Sequence, residues 1–152
     1  MRKTLFPALL ALALGGCAAA PVNGGYGNFV QSDALDQQKL AADAVQQLAA
    51  LYAPAQMRLE LQQPTPDPFG QTLVRLLRDK GYALVEFAPS AATTPPPAPT
   101  TPGGLPLRYL LDQARDSNLY RLTLVVGTQS ITRPYLEKNG GLVPAGYWTR
   151  QE

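Results

Sequence analysis

Residues 88–104 hold six of the fifteen prolines and no charged residue. Each proline ring fixes φ and removes a backbone donor, so no packed helix or inner strand runs through this stretch. It cuts the chain into pieces that look too small to fold alone. The 152 residues are room for one ordinary domain. We therefore read 88–104 as an extended, partly polyproline loop joining two halves of a single α+β domain over 32–152. The alternative is a docking segment for a proline-binding partner, or a spacer. With 45% apolar and 16% charged residues, the chain is too apolar for wholesale disorder.

The same sequence excludes most common catalytic chemistry. It has no histidine, which removes Ser-His-Asp and Cys-His nucleophile systems and imidazole metal sites. It has one cysteine, Cys17, so there is no internal disulfide and no multi-cysteine zinc site. No Ser-x-x-Lys pattern or phosphate-binding glycine loop is present. Glu60 and Glu86 fall on adjacent predicted strands, and paired carboxylates do acid–base work, but two solvated strand residues are the simpler reading. No enzyme activity, cofactor or metal is expected. The formal charge of +2 comes from Arg2 and Lys3; without them 11 positives face 11 acids. The basic pI is therefore no nucleic-acid footprint, and no direct nucleic-acid binding is expected.

The N-terminus reads as an address. Arg2 and Lys3 precede an apolar stretch over 5–14, broken only by Pro7. Ten residues are too short for a transmembrane helix, which needs about 20, but suit a secretory signal. Leu14-Gly15-Gly16-Cys17 is similar to the bacterial lipoprotein signal, with residues 1–16 removed and Cys17 lipidated. The resemblance implies three acyl chains on Cys17, and two already hold a protein stably on a bilayer. Ala18, in place of Asp, is compatible with sorting to the inner leaflet of the outer membrane. Residues 17–31, with Pro21, Gly24, Gly25 and Gly27, read as a lipidated flexible tether.

Beyond the tether, Ser32 or Asp33 is the expected cap of a helix running to about Tyr52, with Leu40, Ala44, Val45 and Leu48 on its apolar face. Alternation predicts a strand over 56–62. Asp67-Pro68 reads as N-cap and first helical residue, and Gly81 as the residue just past that helix. A strand over 82–87 completes a βαβ unit, expected to be right-handed. After the proline-rich loop, Leu107, Tyr109 and Leu111 alternate with Arg108 and Asp112, although a short helix over 107–114 also fits. Residues 119–126 form the strongest strand, with a bulge or bend at Gly127. Residues 130–138 and 142–150 are expected to pair across Asn139-Gly140-Gly141 as a hairpin. Pro134 and Pro144 place that hairpin at a sheet edge.

An edge strand offers unpaired backbone groups to a partner. Arg133, Tyr135, Tyr147, Trp148 and Arg150 are the candidate anchoring side chains there. Alternation puts Tyr147 and Trp148 on opposite faces, so both cannot be core. Arg108, Arg121, Arg133 and Arg150 could also align as a basic strip.

The whole chain resembles the TrbH conjugal transfer lipoproteins. The resemblance is carried by Cys17, by Tyr26-Gly27-Asn28-Phe29-Val30, and by Gln62-Gln63-Pro64-Thr65-Pro66-Asp67. It continues through Gly104-Leu105-Pro106-Leu107-Arg108-Tyr109, Val126-Gly127-Thr128-Gln129-Ser130 and Pro144-Ala145-Gly146-Tyr147-Trp148. It implies a structural lipoprotein of a conjugative type IV secretion (mating-pair-formation) apparatus, anchored in the outer membrane with its domain in the periplasm. Other channel subunits would be its partners. The rival reading is an envelope binding module that regulates a cell-wall enzyme or blocks redundant mating.

Overall fold

The computed structural model describes residues 25–30, 36–89 and 103–152. Cys17 and residues 90–102 lie outside them. In chain order the elements are β1 (Gly27–Asn28), α1 (Gln37–Leu51), β2 (Arg58–Leu61), α2 (Pro68–Asp79) and β3 (Ala83–Val85). After the proline-rich stretch follow β4 (Leu105–Gln113), β5 (Leu119–Val126), β6 (Gln129–Lys138), β7 (Gly141–Pro144) and β8 (Thr149–Gln151). Among the described residues the fold is α+β: two helices and one open, mixed sheet.

Sheet order is β3-β2-β4-β5-β6-β7, with β1 also on β4 and β8 also on β6. β2 pairs in parallel with both β3 and β4, so strands from before and after the proline-rich stretch are hydrogen-bonded neighbours. From β4 onward the pairs are antiparallel. The alternation read in 105–112 belongs to a strand, which excludes the short helix over 107–114. Leu107, Tyr109 and Leu111 are buried, as are Tyr120, Leu122, Leu124 and Val126 of β5. These side chains share one face of the sheet. Leu40, Ala44, Val45 and Leu48 of α1, and Phe69, Leu73 and Leu77 of α2, belong to the same core. The Phe69 and Tyr109 rings meet edge to face at 5.0 Å.

Asp67 caps α2, accepting from the Gly70 N–H at 2.9 Å, and Pro68 opens the helix. At the other end Lys80 is the C-cap, and Gly81 follows with φ +90. The Gly81 N–H bonds Arg78 O and the Tyr82 N–H bonds Leu77 O, the paired closure that a left-handed glycine permits.

Three boundaries differ from expectation. Asp36 caps α1, its carboxylate accepting from the Lys39 N–H at 3.1 Å, so Ser32 and Asp33 set the start too early. Gly127 marks a bend and not a bulge. It is the first loop residue of a two-residue turn, with Val126 opposite Gln129, and its φ of +62 is what such a turn needs. The strand expected over 142–150 is two strands on the same side of β6. The first, β7, follows a turn of Asn139 and Gly140 (φ 54 and 75), and Gly141 already pairs with Lys138. Residues 145–148 separate it from β8. Pro134 sits opposite this break, its carbonyl accepting from Ala145 N–H. A residue's N and O point to the same side of an antiparallel ladder. The missing proline N–H therefore faces the gap, which lets β6 lie inside the sheet despite Pro134.

Candidate functional site

The five candidates on the C-terminal strands occupy three different settings. Tyr135 is core, at 2% exposure. Its hydroxyl donates to Asp43 of α1. Burial and that carboxylate push the phenol well above its usual range, so it stays a donor. Arg133 shares the inner face of β6. Its Nη1 donates to both oxygens of Asp43, at 2.8 and 2.9 Å, and its Nε donates to Gly146 O at 2.9 Å. Arg133 therefore holds α1 and the 145–148 segment to β6. Neither residue is a free docking side chain, which corrects the expectation for both. The reason is the face: positions 131, 133 and 135 all point toward α1.

Trp148 packs against the core, and its indole Nε1 is buried without a hydrogen-bond partner among the described residues. Tyr147, next to it, is 91% exposed. Of the two, Tyr147 is the one available to a partner. Arg150 is exposed and pairs with Glu152 at 2.8 Å. The part of this region open to a partner is thus Tyr147, Arg150 and the outer backbone edge of β7 and β8.

The other combinations do not form. Glu60 accepts from Gly104 N–H at 2.8 Å, while Glu86 pairs with Arg78. Arg121 is paired with Asp112, Arg133 with Asp43 and Arg150 with Glu152. Arg108 lies over the Tyr26 ring at 5.3 Å. The four arginines divide between the two faces of the sheet and make no strip. Among the described residues no three acidic or cysteine side chains gather as a metal site.

Sequence reasoning missed a second polar cluster, around Asp67. Besides capping α2, its Oδ1 accepts from Asn28 Nδ2 at 3.1 Å and its Oδ2 from the Tyr109 hydroxyl at 2.6 Å. Burial, then Asp67, raises the Tyr109 phenol strongly. Gln63, 1% exposed, lies beside it. Its Nε2 donates to Tyr109 O at 3.1 Å and its Oε1 accepts from Tyr109 N–H at 3.0 Å. The side-chain amide thereby fills the gap between β2 and β1 on the edge of β4, satisfying two buried backbone groups. The cap was legible from Asp-Pro; no local signal marks an amide that substitutes for a strand.

These clusters are structural ties, offering no nucleophile and no poised base. A family model described as conjugal transfer protein TrbH matches residues 23–152. No curated protein and no solved structure matches the chain.

Proposed function

Since the chain belongs to the TrbH family of conjugal transfer proteins, we propose that it is an outer-membrane-anchored structural lipoprotein of the type IV secretion apparatus. It acts in conjugation as a non-enzymatic component: the family, the lack of histidine and the lack of catalytic motifs agree. The observation that carries the reading is the family match over 23–152. Its role is to stabilise the channel core by protein–protein contacts, with Cys17 lipidated and the domain over 32–152 in the periplasm.

The contact surface we assign is the edge of β7 and β8 with Tyr147 and Arg150. β7 and β8 end the order of the sheet on that side, and a strand from a channel subunit can add there. A nearly fully exposed tyrosine is an inexpensive anchor for such a contact, having few rotamers to lose.

The test has two parts. Labelling with a fatty acid in cells should mark the parent chain and not Cys17→Ser, and the variant should transfer DNA poorly. Tyr147→Ala and Arg150→Ala should recover fewer channel subunits while keeping the parent melting temperature. Equal fatty-acid labelling sinks the anchor. Full recovery by both alanine variants sinks the contact surface.

A further inference from the structure

Among the described residues, the helices cover one face of the sheet only. On the other face the register sets Leu119, Leu136 and Val143 side by side across β5, β6 and β7. They are 37%, 38% and 41% exposed. Beside them is a hollow of about 420 Å³, lined among others by Leu119, Arg121, Pro134 and Thr149. The open face carries a solvated pair, Arg121 with Asp112, as the outward sides of the helices carry Lys39 with Asp36 and Arg75 with Asp79; the aliphatic row is what sets it apart.

The N-terminal segment reaches the sheet on this same open face. Arg108 points there, because Leu107 and Tyr109 on either side of it point into the core. Tyr26 lies under its guanidinium. Cys17 is eight residues before Gly25, and eight residues of chain reach at most about 28 Å. A lipid on Cys17 therefore keeps Gly25, and the side of the sheet that this segment joins, within that distance of the bilayer. Docking of a tethered surface is intramolecular, so a weakly binding face suffices. Arginine and tyrosine suit the headgroup layer, and aliphatic side chains suit the acyl boundary below it.

We infer that the open face of the sheet rests on the phospholipid surface, with the Leu119–Leu136–Val143 row lowermost and the helices turned toward the aqueous side. This inference rests on the lipidation of Cys17 proposed above. It fixes an orientation in which the β7–β8 edge lies parallel to the membrane and remains free for a partner.

The test uses the full lipidated chain in phosphatidylcholine–phosphatidylglycerol vesicles. The Cys17 sulfur is consumed by the lipid, so an added cysteine is the only thiol. At Leu136→Cys, a water-soluble maleimide should react several-fold more slowly on vesicles than in detergent, and an attached dye should be quenched by spin-labelled lipid. At Gln46→Cys, exposed on α1, neither change is expected. Adding Leu119→Asp should restore access at position 136, with Val143→Asp as the second disruptor if the first fails to fold. A chain that floats with vesicles but labels equally at 136 and 46 overturns the proposal. So does protection at 136 that appears only with channel subunits or at raised protein concentration, which would place a protein or a second copy on this face. A chain that carries no fatty acid and does not float removes the anchor itself, and the orientation with it.

Discussion

Asp67 and Asp43 each accept a hydrogen bond from a tyrosine on the inner face of the sheet, yet their negative charge is balanced in different ways. Asp67 stands at the N-cap of α2, where the first backbone N–H groups have no helical partner and the helix presents its positive end. The Gly70 N–H and the Asn28 amide complete its shell, and no cation is needed. Asp43 lies in the body of α1, where interior N–H groups are spent on the helix. It therefore has Arg133, brought from β6 ninety residues away in sequence. A carboxylate at a helix end is balanced locally; one within a helix needs a counterion from the tertiary structure.

The sharpest way to break this contrast is Arg133→Met. It leaves Asp43 with only the Tyr135 hydroxyl, and stability should fall by about 3 kcal/mol, at the low end for a buried pair because both partners keep some exposure (19% and 25%). The double variant Arg133→Met/Asp43→Leu should recover most of that loss in chemical denaturation. If the double is no more stable than the single, the pair is not what holds α1.

Gly70→Ala tests the other tie and should cost less, about 2 kcal/mol. A Cβ at this position would run into the Tyr109 hydroxyl and stand 2.8 Å from Thr65 Cβ. The phenol must then leave Asp67. A parent-like melting temperature would mean that Tyr109 is not required at the cap.

Both ties share an alkaline limit. The Tyr109 and Tyr135 phenols are raised above their usual 10.0 by burial and a carboxylate. The folded state thus keeps protons that the unfolded chain releases. Their contribution is fully present below about pH 10 and is lost as pH rises beyond it. Tyr109→Phe and Tyr135→Phe should each flatten that fall in a pH series of denaturant midpoints. A slope unchanged in both variants would exclude the phenols as its source.

The smallest effect is expected from replacing 90–102 with a Gly/Ser segment of equal length. β2 and β4 pair across this stretch, and loop-closure entropy grows only slowly with length, which the replacement leaves unchanged. One unfolding transition with nearly the parent midpoint supports a single folding unit over 32–152, whereas two transitions would divide it.

Local chemistry was enough to read much of the fold. Asp67-Pro68, Gly81 and the span of β5 each encode their structure within a few residues, through capping, fixed φ or a two-residue period. The α+β class, the absence of catalytic chemistry and the family resemblance follow from the same level. The tertiary structure decided everything that depends on a distant partner. Asp43 acquires its role only through Arg133 and Tyr135, which the fold brings to it from β6. Gln63 acquires its role only because the gap between β2 and β1 leaves two backbone groups of Tyr109 for its amide. Of the five candidate contact residues, sequence could name the type but not the setting, because that depends on which side of the sheet the helices cover and on where the last strand breaks. The covered side buried Tyr135 and engaged Arg133; the break between β7 and β8 packed Trp148 and left Tyr147 exposed, and Arg150 stays exposed on the edge strand opposite Ile131.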